Sequence, residues 1–235
     1  MSAMRPSWPL RLCLTSHLLF FFALFLWFNP LTHALCVEAD KAIFYQLNGS
    51  LSHNPAWQSL WGMLNHRRET GYNLILACCF NLWAIYQTKN PKLRMQCIKG
   101  FIYFWICFEL VFCLQEYIFH DFLKIARYSP SLVLTPSLRL SEVLHDPNIK
   151  DASQNCFPGG HAFALLYWSL FSLYLSPRRI GISGIIFALF LCLPRLFSGA
   201  HWMSDTVFSG LLALVCFAWT IVPLYYWMQT QSLLP

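Results

Sequence analysis

The stretch FPGGHAFALLYWSLF, residues 157–171, joins a glycine-rich turn to an apolar run that is typical of a membrane helix. Glycines let the backbone approach a ligand closely, and the first N–H groups of a helix have no partner within the helix. The helix dipole also favours an anion at this end. Pro158-Gly159-Gly160-His161 therefore predicts a phosphate cradle, in which His161 protonates a departing oxygen. A glycine-rich turn with an incidental histidine is the alternative.

The composition excludes a soluble domain. The chain has 235 residues, of which 57% are hydrophobic and 11% are charged, whereas soluble domains carry about 25% charged residues. Six stretches have roughly the 17–25 mostly apolar residues that a membrane helix needs. They are residues 11–29, 71–87, 100–119, 161–176, 180–197 and 206–228. The sequence thus predicts one integral membrane domain, residues 1–235, an all-α polytopic bundle of six transmembrane helices.

The region around the first span adds two predictions. Thr32-His33-Ala34 faintly resembles a signal cleavage site, but the long apolar core of the first span favours an uncleaved helix. Between residues 35 and 70, VEADKAIFYQLN and PAWQSLWGML each place apolar residues on one helical face. We interpret both as short helices on the outer membrane surface.

Basic residues near short loops set the orientation of membrane proteins. KNPKLRMQCIK (89–99) and PRR (177–179) are such segments, so we expect them in the cytoplasm. With six spans, both termini are then cytoplasmic, and the loops 35–70, 120–160 and 198–205 share the outer face.

Most of the ten cysteines lie in apolar runs, where they behave as small hydrophobic residues. Only Cys36 and Cys156 are expected to face an oxidising space together. A disulfide between them is left open, because its geometry does not follow from sequence.

The segment PRLFSGAHWMSD, residues 194–205, contains Arg195, His201 and Asp205. His201 and Asp205 are one helical turn apart, so the carboxylate can hold one imidazole nitrogen and leave the other free to attack. Arg195 offers a fork of donors for a phosphate. Alternatively, these are ordinary polar residues at a membrane interface.

A third segment, FLKIARYSP (122–130), follows the third predicted span. Lys124 can hold a phosphate or extend to lipid headgroups, and Arg127 suits a bidentate phosphate contact. Together the three segments supply what phosphoryl transfer through a phosphohistidine requires. The sequence has no Cys/His spacing for zinc and no carboxylate-rich loop for magnesium, so we expect no metal and no cofactor.

These residues resemble the membrane-bound type 2 phosphatidic acid phosphatases, whose motifs are K-x6-R-P, P-S-G-H and S-R-x5-H-x3-D. The third motif is matched by Arg195, His201 and Asp205, with Pro194 in place of serine. The second is matched with Gly159 in place of serine. The first is degraded, because Ser129 replaces the arginine and Phe122 replaces the lysine, which makes Arg127 the better candidate.

The run KDASQNCFPGGHA, with ARYSPS before it and PRLFSGAHWMSD after it, is similar to the branch of this family that forms lipid A 1-diphosphate. The similarity includes Ala39-Asp40 and Asn65-x-Arg67 and covers about residues 39–210. The resemblance implies that His201 attacks a phosphate, that Asp205 orients it, and that His161 is the general acid. It also implies that phosphate oxygens are held by Arg127, by Arg195 and by the backbone of Gly159 and Gly160. Candidates for positioning a lipid headgroup are Arg67, Lys150, Asp151 and Ser153.

The resemblance further implies a phosphotransferase that uses undecaprenyl pyrophosphate as donor and the 1-phosphate of lipid A as acceptor. Its expected place is the bacterial inner membrane, among membrane lipids, with the site facing the periplasm and no nucleic acid partner. A lipid phosphatase (an undecaprenyl pyrophosphatase or a lipid A 1-phosphatase) would use the same intermediate. A non-enzymatic lipid-binding protein is the second alternative.

Overall fold

Helices form the regular structure of the computed structural model, which describes residues 8–175 and 178–230. Its α-helices are α1 (Trp8–Phe28), α2 (Pro30–Gly49), α3 (Pro55–Met63), α4 (Glu69–Tyr86), α5 (Pro91–Glu116), α6 (Pro130–Val133), α7 (Leu140–Val143), α8 (Gly160–Leu175), α9 (Arg178–Phe197) and α10 (Met203–Thr230). A π-helical segment, Tyr117–Phe122, extends α5. Within the described ranges, the β pairing is a single bridge between His66 and Ile149. The prediction of an all-α fold is confirmed.

Four helices in the described part of the chain are long and apolar enough to cross a membrane. They are α1, α5 with its π-helical extension, α9 and α10. The other two predicted spans coincide with α4 and α8, which are helices but shorter, with 18 and 16 residues. The chain is a multi-pass membrane protein of helices, and the count of six spans is not confirmed.

Three helices begin with the same two residues, asparagine followed by proline. Asn29, Asn54 and Asn90 each accept a backbone N–H from the first turn of α2, α3 or α5. Proline at the first helical position needs no hydrogen bond, and the asparagine side chain satisfies one unpaired donor. In the predicted surface region 35–70 both helices are present, but α2 is longer than predicted, because it begins at Pro30 directly after α1.

The central helix of the bundle is α8, which packs against α4, α5, α9 and α10. Four of its aromatic residues are buried: Phe163, Tyr167, Trp168 and Phe171. Phe104 of α5 stacks on Tyr167 and Phe171 with ring centroids 4.6 and 3.7 Å apart. At one end of the bundle, Trp61 of α3 stacks on Phe197 at the end of α9, at 4.2 Å. This packing brings the segments 35–70 and 130–159 over the ends of α8 and α9.

Cys36 and Cys156 are free thiols in the structure. The disulfide considered between them is therefore not formed. Cys156 is completely buried, and Asp205 lies close enough to it to raise the pKa of its thiol further than burial alone does. It belongs to the interior of the site, whereas the disulfide interpretation required it to face an oxidising space.

Candidate active site

The turn between α9 and α10 depends on a glycine in the left-handed conformation. Gly199 has a φ of 72°, which favours glycine because it has no Cβ. Its N–H donates to the Leu196 carbonyl (3.1 Å), and the Ala200 N–H donates to the Arg195 carbonyl (2.9 Å). This pair of bonds is a Schellman motif. The His201 N–H also reaches the Arg195 carbonyl (3.2 Å), so the turn ties the backbones of Arg195 and His201 together.

The His201 side chain is buried and is held at one ring nitrogen. Nδ1 donates to the backbone carbonyl of Cys156 at 2.7 Å. Oδ2 of Asp205 lies 3.7 Å from the same nitrogen, which suits charge attraction but is too long for a hydrogen bond. The orienting hydrogen bond expected from Asp205 is thus made by a backbone carbonyl, and Asp205 contributes negative charge. A proton on Nδ1 leaves the lone pair on Nε2, as a nucleophile requires.

Asp205 belongs to a buried ionic cluster with Arg127 and Asp40. Its Oδ2 accepts the Trp202 N–H (3.0 Å), and its Oδ1 pairs with Arg127. Asp40, on α2, accepts Arg127 Nη2 at 3.0 Å and the Ser204 N–H at 2.9 Å. Both carboxylates therefore satisfy N–H groups at the start of α10, where the helix dipole also favours negative charge. The cluster locks the first turn of α10, and with it His201, to α2.

Arg127 was predicted to bind phosphate, and the structure places it in this cluster instead of leaving it open to a ligand. Its guanidinium lies 4.9 Å from the ring centroid of Trp27 and 5.1 Å from that of Trp202. Two carboxylates and the Ser204 hydroxyl accept its hydrogen bonds. Its role in phosphate binding stays a prediction, while its position makes it a support for Asp205.

Gly159 and Gly160 lie at the start of α8, beside His201. The Gly159 N–H, predicted to face phosphate, donates to the Ser209 hydroxyl at 2.7 Å. A Cβ at Gly159 would be 3.5 Å from His201 Nδ1, so this glycine packs directly against the imidazole. The first hydrogen bond of α8 is donated by Phe163 to Gly159 (3.0 Å), so the Gly160 N–H has no partner within the helix. Only Gly160 keeps the predicted geometry of a backbone anion donor.

His161 follows in the first turn of α8 and is buried. Its Nε2 lies 3.1 Å from the Leu191 carbonyl of α9, so this nitrogen carries a proton and donates it. Arg195, His201 and Lys150 are near enough to interact electrostatically with the ring. The structure thus brings both predicted catalytic histidines and two basic residues to one place.

Lys150, Arg195 and Arg67 form a cationic cluster next to His161. The Asn65 carbonyl accepts both the Lys150 N–H (3.0 Å) and Arg195 Nη1 (3.3 Å). Burial lowers the pKa of Lys150, and repulsion from Arg195 and Arg67 lowers it further. Like charges gathered at one place favour an anionic ligand such as phosphate. The carboxylate of Glu116 partly offsets these positive charges, and it raises the pKa of Lys150. It lies at the start of α8, where a Cβ on Gly160 would be 3.2 Å from its Oε1.

Two other predicted site residues have structural partners in the loop before α8. The Ser153 N–H donates to the Ser129 hydroxyl (2.9 Å), and the Ser129 N–H donates to the Ser153 carbonyl (2.9 Å). Asp151 is buried and accepts the Ser141 N–H at 2.7 Å. Ser129 replaces the arginine of the family motif, and its bonds help to hold the loop that supplies the Cys156 carbonyl.

Lys124 is exposed, with a φ of 49°, and no contact to the site is found among the described residues. Two contributors escaped sequence reasoning: the Cys156 carbonyl and the carboxylate of Glu116. Asp40 and Asn65 lie within segments that resemble the family, but neither was assigned a role. No local pattern marks any of them, because each acts on a residue far away in the chain.

Cys156, His201 and Asp205 place possible metal ligands within 4.8 Å of one another. The donor atoms are already engaged, however, because His201 Nδ1 donates to a carbonyl and both Asp205 oxygens accept hydrogen bonds. Burial and Asp205 raise the pKa of the Cys156 thiol, and a thiol must lose its proton to bind a metal. The geometry favours histidine chemistry over a metal centre.

Two buried histidines, a carboxylate cluster and a cationic cluster thus meet at one end of a helical membrane bundle, an arrangement that suits phosphoryl transfer. Residues 71–231 match the model of the PAP2 superfamily, and the chain belongs to this superfamily. It is therefore an enzyme of this metal-independent class and acts on lipid substrates.

Among curated proteins, the chain is 29% identical over 202 residues to lipid A 1-diphosphate synthase of Escherichia coli (strain K12). The match covers 85% of this chain and 83% of that protein. Among solved structures, it resembles a transmembrane PAP2 type phosphatidylglycerolphosphate phosphatase from Bacillus subtilis, with a TM-score of 0.55 and 14% identity. That match covers 89% of this chain and 94% of the other and shows a shared fold.

Proposed function

We propose that this protein transfers the terminal phosphate of undecaprenyl pyrophosphate to the 1-phosphate of lipid A, through a phosphohistidine on His201. The observation that carries the proposal is the hydrogen bond from His201 Nδ1 to the Cys156 carbonyl (2.7 Å). It leaves the Nε2 lone pair for attack, beside the cationic cluster of Lys150, Arg195 and Arg67.

In the first step, His201 Nε2 forms a bond to the terminal phosphorus, and the bond from that phosphorus to the bridging oxygen breaks. Undecaprenyl phosphate leaves. His161 supplies its proton to the leaving oxygen, which requires that the substrate replace the Leu191 carbonyl as the partner of Nε2–H. The charge of Asp205, 3.7 Å from His201 Nδ1, stabilises the imidazolium that develops.

In the second step, an oxygen of the lipid A 1-phosphate attacks the phosphohistidine and gives its proton to His161, which restores the general acid. The new P–O bond replaces the P–N bond, and lipid A 1-diphosphate leaves. Throughout, Lys150, Arg195 and the Gly160 N–H neutralise the charge on the moving phosphoryl group. The likeness to a lipid A 1-diphosphate synthase over most of the chain supports this acceptor.

We also propose that the domain is a single unit whose active site faces the periplasm of a bacterial inner membrane. The basic segments 89–99 and 177–179 lie on the opposite side of the predicted spans from the site. Both proposed lipids present their phosphates at that outer face. A test is the labelling of single cysteines in the loop 144–155 with a membrane-impermeant maleimide in intact cells, in a cysteine-free background.

The reaction is tested with purified protein and undecaprenyl pyrophosphate labelled at its terminal phosphate, with and without lipid A. Label that appears on lipid A supports transfer. Release of the label as free phosphate, at the same rate whether or not lipid A is present, would show a hydrolase instead. His201→Ala should abolish both turnover and the acid-labile phosphoenzyme, while His53→Ala, an exposed histidine in the loop between α2 and α3, should retain both.

A further inference from the structure

An apolar groove opens between α4 and α9 and leads to the catalytic end of α8. Its volume is about 660 Å³, and side chains such as Leu76, Phe80 and Phe187 line it. A smaller cavity adjoins it and is lined by His161, Asn73 and Trp168. Asn73 and Trp168 line both spaces, so these two residues lie between the groove and the general-acid candidate His161.

Two hydrogen-bond donors at this junction have no acceptor. Asn73 Nδ2 and Trp168 Nε1 are buried and have no hydrogen-bond partner in the described part of the chain. Asn73 is 9% exposed and Trp168 is 1% exposed. Leaving a buried donor unsatisfied is costly, and both residues line the same two spaces. They indicate a ligand that brings acceptor oxygens to this place.

The other polar groups of the groove do not share this property. The Ser169 hydroxyl donates to the Leu166 carbonyl of its own helix (2.8 Å), and the Ser172 hydroxyl donates to the Trp168 carbonyl (3.0 Å) and to Asn81 (3.1 Å). These side chains are satisfied without a ligand. The unsatisfied donors are confined to the end of the groove that meets His161.

The position of the donor pair selects among lipids. Trp168 is seven residues after His161, which is about 10 Å along a helix. A polyprenyl pyrophosphate has oxygens only in its headgroup, and its tail offers no acceptor at that depth. An acylated glycolipid whose phosphate is at the histidines has ester or amide carbonyls about one sugar ring away, at a depth that fits.

We propose that Asn73 and Trp168 bind a carbonyl oxygen of an acyl chain of the acceptor lipid, and that the groove between α4 and α9 holds this chain. The inference rests on the proposed function and adds to it. The acceptor lies on the α4–α9 side of the site, and the donor pair distinguishes an acylated lipid from a polyprenyl lipid. Asn73 and Trp168 are positioning residues, since neither contacts the transferred phosphate.

Measuring phosphoenzyme formation and transfer to lipid A separately distinguishes binding of the acceptor from a merely structural role of Asn73 and Trp168. Asn73→Leu and Trp168→Phe each remove one donor and keep an apolar side chain. We expect each to raise the KM for lipid A three- to tenfold, corresponding to the loss of one hydrogen bond. The rate of phosphoenzyme formation from undecaprenyl pyrophosphate should not change. Ser169→Ala, the matched control in the same groove, should change neither value.

A second measurement keeps the inference independent of the transfer reaction. Binding of lipid A to the purified protein is compared with binding of fully deacylated lipid A. Asn73→Leu and Trp168→Phe should each bind lipid A more weakly than wild type and should bind the deacylated form equally well. If wild type transfers no phosphate, the proposed function fails, and weaker lipid A binding still supports the donor pair. Unchanged lipid A binding in Asn73→Leu, or equal losses in both half-reactions, overturns the donor pair.

Discussion

Replacing Gly199 by alanine should damage the site without touching a catalytic side chain. Gly199 has a φ of 72°, and its N–H closes the end of α9 by donating to Leu196 (3.1 Å). A Cβ there would lie 2.6 Å from Cε2 of Phe44 and 3.1 Å from Cβ of Ser131. Phe44 is 3% exposed, so its ring has no space into which to move.

Two costs add in this variant. A non-glycine residue in the left-handed conformation costs about 1–2 kcal/mol. Forcing an additional methyl group into a packed interior costs about 1–3 kcal/mol. We therefore expect Gly199→Ala to lower the free energy of unfolding by about 2–5 kcal/mol. Since this turn joins Arg195 to His201, turnover should fall at least tenfold even where the protein stays folded.

Gly159→Ala is the matched control. Its φ is not in the left-handed region, and the new Cβ would be 3.4 Å from the Ser209 hydroxyl and 3.5 Å from His201 Nδ1, which are ordinary contacts. Unfolding of both variants is followed by tryptophan fluorescence during SDS titration in mixed micelles. Equal stability of Gly199→Ala and Gly159→Ala would refute the reasoning, because only one of them carries the strained backbone and the clash.

Three further outcomes follow from the charges of the site. Because burial and nearby Arg195 and Arg67 lower the pKa of Lys150, its charge opposes folding below the folded pKa. This penalty disappears as the pH rises toward the ordinary value of 10.5. Lys150→Met should therefore melt at a higher temperature than wild type at pH 7, and the gap should narrow by pH 10. In the same variant, added inorganic pyrophosphate should raise the melting temperature less than in wild type; an equal rise would exclude Lys150 from the anion site. Asp40→Asn should lower the stability by about 3 kcal/mol, the cost of breaking a buried ion pair. Glu38→Gln on the same helix, which removes an exposed ion pair, should cost less than about 1 kcal/mol; similar losses in both would contradict the role of Asp40.

Helix positions were largely predictable because they depend on local composition. The six apolar stretches all lie in helices, and three Asn-Pro pairs in the sequence mark the starts of α2, α3 and α5. The number of spans did not follow, since α8 is short and enclosed by other helices, and a packed core helix and a membrane helix have similar composition.

The motifs also identified which histidines come together. His161 and His201 lie at the starts of α8 and α10, and these two helices pack against each other. Their positions in the chain therefore largely explain why the two side chains lie close together. The structure places Arg195 near His161 as well, and its role in phosphate binding stays a prediction.

Only the tertiary structure assigned the partners of these residues. The carbonyl that orients His201 lies 45 residues earlier in the chain, and the carboxylate that caps α10 at Ser204 lies 164 residues earlier. Arg127 looked like a phosphate ligand in the sequence, yet it is enclosed by Asp40, Asp205 and two tryptophan rings. The sequence by itself indicated both histidines, Arg195 and Asp205, because residue types and helix periodicity are local properties. The hydrogen-bond partners of these groups were decided by tertiary packing, because a hydrogen bond between distant segments depends on distances that only the folded chain defines.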